Sequence, residues 1–197
     1  MHSLKFSKLA HKILLFGGLA NVLLTGLVSA ATFLVSSSAD HVGPDGVFPD
    51  PSGPTNTLRH AIVGQFQSPE RHHEIVIAPG LPVIHLAADL PAFAVSYSVI
   101  SLQGNGATVD GVGLHRALFV HDGQVSVRDL TIVNTRAAGG TGGGGGAGLG
   151  AALLVGRAAS VKLDNVTFTG NVAVGGRGGA ARGEGGGGMG GNGGAAG

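Results

Sequence analysis

Residues 124–135, QVSVRDLTIVNT, and 160–171, SVKLDNVTFTGN, place apolar side chains at matching points: Val125 with Val161, Val127 with Leu163, Leu130 with Val166, and Ile132 with Phe168. The offset is about 36 residues, inside the range of solenoid repeats. In both copies the apolar positions alternate twice, skip one position at Arg128-Asp129 or Asp164-Asn165, and resume. Alternation marks a strand with one buried face, and the polar skip marks a corner between two short strands. A chain that turns such corners and returns above itself is a parallel β-helix, in which each rung buries its inward side chains against its neighbours. The register puts Val127, Leu130, Ile132, Leu163, Val166 and Phe168 in one core, with Arg128, Asp129, Lys162 and Asp164 outside. Function then has to sit on outer faces or loops.

Composition narrows the partners. Lys and Arg number 12 against 11 Asp and Glu, a net charge of +1, so there is no basic field to condense on phosphates, and nucleic acid is not an expected partner. The chain has no cysteine, which excludes disulfides, thiolate metal sites and cysteine nucleophiles. Glycine reaches 38 of 197 residues, against roughly 7% in ordinary globular proteins. Glycine at that level costs backbone entropy on folding and suits tight corners or unstructured stretches. The tracts 139–150 and 175–197 have almost no side chain to bury, so they are expected to be loops or disordered.

The N-terminus reads as an export signal. Lys5, Lys8 and Lys12 precede an apolar run over 13–27, and Val28-Ser29-Ala30 followed by Ala31 offers small residues to a signal peptidase, with cleavage expected after Ala30 or Ala31. The run, at about 15 residues, is short of the roughly 20 that span a bilayer. Beyond it, 32–37 reads as a strand, and 40–54 is a turn-rich excursion. Residues 55–67 have helical spacing, with Leu58, Ala61, Ile62 and Phe66 on one face after a Thr55 or Asn56 cap. Such a helix would close the open end of a β-stack. Further strands are expected at 74–77, 83–86, 95–102, 108–109 and 117–120.

Four blocks carry a resemblance: TFLVSSSAD at 32–40, NTLRHAI at 56–62, IVIAPGLPVIHL at 75–86 and SLQGNGATVDG at 101–111. In this order they resemble the N-terminal module of exported bacterial proteins named for a Cys-Ser-Leu-Arg-Glu-Ala motif, a module that precedes right-handed β-helices. Leu58, Arg59, Ala61 and Ile62 match, whereas Asn56 stands at the cysteine position, Thr57 replaces serine and His60 replaces glutamate. Phe48 stands where some members carry a partner cysteine, so the disulfide clip of that loop is absent. GAAL at 150–153 and FTGN at 168–171 also resemble the paired short motifs of polymorphic outer-membrane and autotransporter passengers. The resemblance implies a surface or secreted β-helix of adhesin type, and the same fold houses pectate lyases and polygalacturonases, so it does not choose a chemistry.

Catalysis would need more than the strands offer. Polysaccharide hydrolysis requires paired carboxylates facing one cleft, and lyase chemistry a carboxylate-bound cation beside a base. Asp110, Asp129 and Asp164 are the acids of the strand region, with Arg116, Arg128 and Lys162 near them in sequence, and solvated corners account for them more simply. Glu70-Arg71-His72-His73-Glu74 concentrates imidazoles and carboxylates, but its spacing matches no zinc signature and reads as a solvated loop. Asp40, Asp45 and Asp50 lie in a Gly/Pro loop and lack the Gly-x-Asp spacing of calcium-binding β-rolls. Asn134 and Asn171, near equivalent repeat positions, are expected to ladder through their amides, while Gly104, Gly106 and Gly111 read as turn glycines around Asn105 and Asp110. No helix follows GNG, so it is not a phosphate loop. Asn165-Val166-Thr167 is formally a glycosylation acceptor.

The expected fold is all-β, a right-handed parallel β-helix (solenoid) with a short N-terminal capping helix and Gly-rich disordered loops and tail. Residues 1–30 form the signal peptide, 31–98 the capping module, 99–174 the rungs with a Gly-rich insertion at 137–150, and 175–197 the tail. The expected role is a non-catalytic exported surface or extracellular module of adhesin or autotransporter-passenger type, the N-terminal part of a longer protein. The alternative is a carbohydrate-active β-helix enzyme. No catalytic residue, metal or cofactor is assigned. The expected partners are cell-surface or carbohydrate ligands, the envelope through downstream sequence, and a second copy through an open C-terminal rung.

Overall fold

The computed structural model describes residues 30–44, 46, 49–141 and 145–178. The signal segment, Asp45, Phe48 and the tail from 179 lie outside the described residues, with only Ala30 of the expected signal inside them.

Among the described residues, eight strands and one helix follow one another. They are β1 (Ala30–Val35), α1 (Leu58–Gln67), β2 (His72–Ile77), β3 (Ile84–His85), β4 (Val99–Asp110), β5 (Leu118–Val133), β6 (Arg136–Ala138), β7 (Leu153–Thr169) and β8 (Val172–Val174). The main sheet runs β1-β2-β4-β5-β7 in chain order, with β3 also paired to β4, and β6 pairs β8 separately. Every one of these pairings is parallel. The protein is therefore predominantly β, built of parallel strands with one helix. Because a parallel pair cannot be joined by a tight turn, the chain makes a return between paired strands, as over 36–71 between β1 and β2 and over 134–152 between β5 and β7.

Register turns the alternation into buried columns. Phe33, Ile75, Leu102, Val127 and Leu163 are successive partners across the sheet, as are Ile84, Val109, Ile132 and Phe168. In the middle strands the inward members of these columns are buried: Ile75, Leu102, Val127, Val109 and Ile132 are all at or below 1% exposure. The expectation of one shared core holds for Val127, Leu130 and Ile132 but not for the next copy. Leu163 and Phe168 are 41% and 40% exposed, and Val166 is only partly buried. Register is correct for all six; what differs is that among the described residues β7 ends the sheet, so its inward row has a described neighbour on one side only.

The helix packs against β1 and β2. Thr57 is its N-cap and accepts from the His60 amide, two or fewer residues from the expected cap. Gln65 takes the buried place expected of Phe66, which is 46% exposed. Gly64 lets the helix approach the sheet, since a Cβ there would lie 2.6 Å from the Phe33 ring. Arg59 is fully buried, and its guanidinium forks onto Asp40, Nε to Oδ1 and Nη2 to Oδ2 both at 2.6 Å. It also donates to the carbonyls of Asp89 and Ala88 at 2.8 Å, while Asp40 Oδ2 accepts the Ala87 amide. This pair ties the block 32–40, the helix and the chain around 87–89 into one unit, so Asp40 is a buried anchor and not the turn or calcium residue considered from sequence. Asn56 donates its side-chain amide to Ser36 Oγ and accepts the Ser36 and Ser37 amides on its backbone carbonyl.

Three further expectations change. The strand expected over 95–102 begins only at Val99, because 95–98 form a turn closed by the Ser98 amide on the Val95 carbonyl. The strand expected over 74–77 begins earlier, at His72, so His72 and His73 belong to β2 and not to a solvated loop, and His73 points into the core. The glycine insertion is irregular but close-packed: Gly146 N–H donates to Gly140 O, Gly176 N–H to Gly146 O and Gly139 N–H to Val174 O. A Cβ on Gly176 would fall 1.9 Å from the Gly140 carbonyl oxygen, so backbone lies on backbone there with no room for a side chain.

Candidate functional site

The sequence candidates do not converge on one place: most lie at the surface, whereas Asp40 and His73 are buried. Asp129 sits at a corner with φ 51, matched by Asn105 at 50 and Asn165 at 51 on the adjoining strands. Asn165 donates to Asp129 Oδ1 at 2.7 Å, and Gln103 donates to its Oδ2 at 3.0 Å and to Asn105 Oδ1. These bonds from Asn165 and then Gln103 hold the Asp129 carboxyl below its ordinary value. An Asx ladder thus exists, but at the corner 105/129/165. The expected pairing of Asn134 with Asn171 does not occur. Asn171 accepts the Thr135 amide and hydroxyl and donates to the Ile132 carbonyl, because Thr135 is its counterpart at an offset of 36. Gly104 is needed where β4 passes under this corner, since a Cβ would lie 2.4 Å from the Asp129 carbonyl oxygen.

Asp164 pairs loosely with Arg128 at 3.5 Å, and Lys162 is exposed beside it on β7. Arg116 belongs with Asp89, which accepts the Arg116 amide at 2.8 Å and lies 3.9 Å from its guanidinium. His73 is the buried member of the His/Glu run. Neither of its ring nitrogens has a hydrogen-bond partner among the described residues, and burial pushes its pKa down. His72 is half-buried beside it on the other face of β2. Among the described residues no three His, Asp or Glu side chains converge as ligands for a metal ion.

Two grooves gather polar groups. The first, of about 430 Å³, is lined by Asp110, Asn134, Thr135 and Arg136 together with Val112 and Val172. Asp110 Oδ1 caps the Val112 amide at 2.8 Å, and Oδ2 lies 3.5 Å from His85 Nδ1. Val112, a β-branched residue at φ 49, is an outlier held by this cap.

The second groove, of about 690 Å³, runs where the turn 95–98, β5 and β7 lie side by side. Gln124 pairs with Ser160, so β5 and β7 each deliver a polar residue to the same rim. Asp122 accepts the Ser96 hydroxyl at 2.5 Å and the Gly123 amide at 2.6 Å. Both bonds, the Ser96 one first, hold its pKa below the ordinary aspartate value. Across the rim, Val120 faces Val155 and Asp122 faces Ala158, which leaves Gly156 and Arg157 opposite the single residue His121. This β-bulge aims Arg157 into the groove. Tyr97 stands at its mouth, 84% exposed and at φ 60.

The sequence reading missed Tyr97, Asp122 and Arg157. VSYSV alternates like a strand, and that pattern conceals the turn; the available signal was that Tyr97 is the single tyrosine of a chain without tryptophan, flanked by two serines. The bulge at Arg157 has no local signature beyond Gly156, whose Cβ would meet the His121 carbonyl oxygen at 2.5 Å.

No protein-family model, curated protein or solved structure matches the chain.

Proposed function

We propose that the chain is a right-handed parallel β-helix that serves as a non-catalytic exported module at a cell surface or in the extracellular medium, of adhesin or autotransporter-passenger type. The observation that carries this reading is the in-register parallel stacking of β2, β4, β5 and β7 in chain order, with apolar columns inside. Parallel strands joined by long returns take the right-handed crossover almost without exception. Outside, the acids Asp110, Asp129 and Asp164 are engaged separately with His85, with Asn165 and Gln103, and with Arg128, which suits a scaffold that presents surfaces. The Arg59–Asp40 anchor joins two of the blocks that resemble the capping module, as a compact cap requires. Self-association belongs, on this reading, to the half-covered row of β7.

Export is tested by N-terminal sequencing of the chain from the secreted or envelope fraction. The expected terminus is Ala31 or Thr32, and intact Met1 in a soluble cytoplasmic pool would refute the reading. Among the described residues no helix is long and apolar enough to cross a membrane.

The second reading, a carbohydrate-active enzyme, draws on one observation: Asp110 and Arg136 line the same groove, with His85 against the acid. Release of new reducing ends or unsaturated products from polysaccharides, lost in Asp110→Asn, would favour it.

A further inference from the structure

Three breaks in a regular stack meet at one place. Tyr97 is held at φ 60, Gly123 at φ 83, and the β5–β7 ladder bulges at Gly156-Arg157. Gly123 has no room for a side chain, since a Cβ would lie 2.9 Å from both Ser98 Oγ and the Val95 carbonyl oxygen. A tyrosine in the left-handed region carries a backbone cost that glycine there would not, and strain of this kind gathers at binding sites. Tyr97, 84% exposed and the most exposed large hydrophobic among the described residues of an aromatic-poor chain, thus sits in a backbone conformation that disfavours it.

We propose that this groove binds the pyranose rings of a neutral oligosaccharide, an inference that gives the surface module proposed above its ligand class and rests on that reading for its biological setting. A pyranose has an apolar C–H face and hydroxyls that both donate and accept. The groove supplies a counterpart to each. Tyr97 offers an aromatic surface with a polar tip. Asp122 uses one lone pair on each oxygen for Ser96 and Gly123, which leaves further acceptor capacity, and Arg157 brings a fork of donors. Gln124 and Ser160 add neutral donors and acceptors along the rim, and the floor is made of small residues, Gly123, Ala158 and Ala159. One carboxylate and one guanidinium leave the groove without net charge, which disfavours a polyanion. The absence of a deep apolar pocket disfavours an aliphatic peptide side chain. At about 690 Å³ the groove is within the range of roughly 300–1,000 Å³ of small-ligand sites.

The chain reports on itself, because Tyr97 is its only tyrosine and it has no tryptophan. The purified chain would be titrated with maltohexaose, cellohexaose, mannohexaose and chitohexaose, and with hexagalacturonate as the charged comparison. The expected result is saturable change in tyrosine emission with at least one neutral hexasaccharide at millimolar concentration or below, matched by calorimetry. By calorimetry, Tyr97→Phe should bind within about threefold of the parent, while Asp122→Asn and Arg157→Ala each weaken binding roughly tenfold. Tyr97→Gly separates a binding role from a structural one: relief of the backbone strain raises its unfolding midpoint, while affinity falls roughly tenfold or more. Retention of affinity in Tyr97→Gly, silence towards all four neutral sugars, or binding of hexagalacturonate alone would each overturn the proposal. Cleavage of a bound hexasaccharide would leave the site standing and overturn the non-catalytic reading instead, and binding by a chain that keeps Met1 in the cytoplasm would overturn only export.

Discussion

Ile132 on β5 and Phe168 on β7 are register partners with the same place in the repeat, yet one is completely buried and the other 40% exposed. The same holds for Val127 and Leu163. The difference teaches that in a stack of parallel strands the repeat decides direction, whereas burial is decided by the number of neighbouring strands. β5 lies between β4 and β7; among the described residues β7 is paired on one side. The closed region is further secured at its other end by α1 and the buried Arg59–Asp40 fork, for which the β7 end has no equivalent among the described residues.

The sharpest way to break the closed region is to remove one side of its buried fork. Arg59→Ala strips the buried Asp40 side chain of its fork partner and is expected to cost about 3–5 kcal/mol in equilibrium urea unfolding, with Arg59→Lys unable to restore the fork. Comparing the two register partners directly comes next. Ile132→Ala is expected to cost about 2–5 kcal/mol, while Phe168→Ala should lose roughly half as much as a fully buried phenylalanine, about 1.5–2.5 kcal/mol. Equal losses for a buried phenylalanine and Phe168 would mean that β7 is covered in solution.

The glycine layer sharpens the comparison from the other side. Gly148→Ala would push a Cβ to 2.1 Å from the Val174 carbonyl oxygen and should cost about 1–3 kcal/mol, whereas Lys162→Ala on the outer face should stay within about 0.5. If both were silent, the packing of 145–150 against β8 would not persist in solution.

Acidity gives the smallest effect. His73 and Asp129 both have depressed pKa values in the fold, so the unfolded chain binds more protons than the native one and stability falls as pH is lowered. For His73 the loss begins as pH passes down through 6.5, its ordinary value, and continues towards the folded pKa; for Asp129 it begins only below 3.8. His73→Leu should flatten the first of these losses in a pH series of urea midpoints, and Asn165→Ala the second.

Much of the scaffold was legible without coordinates. The paired alternation around Arg128-Asp129 and Asp164-Asn165 determined two strands, their register and their corners, because a period of two leaves one face for the core and a slip would turn every apolar residue outward. Leu58, Ala61 and Ile62 likewise determined a helix and its buried face through their spacing. Neither pattern contains the number of strands that will lie beside a given residue, so the exposure of Phe168 was settled only by the order of the sheet. Tertiary structure also decided the fate of Asp40, which meets Arg59 across 19 residues, and of His73, whose polar name hides an inward place on β2. It decided the Tyr97 groove most completely. Tyr97, Asp122 and Arg157 are far apart in the chain and come together only because a turn, a strand and a bulge stack at one height, a coincidence of register between strands that no local stretch of sequence records.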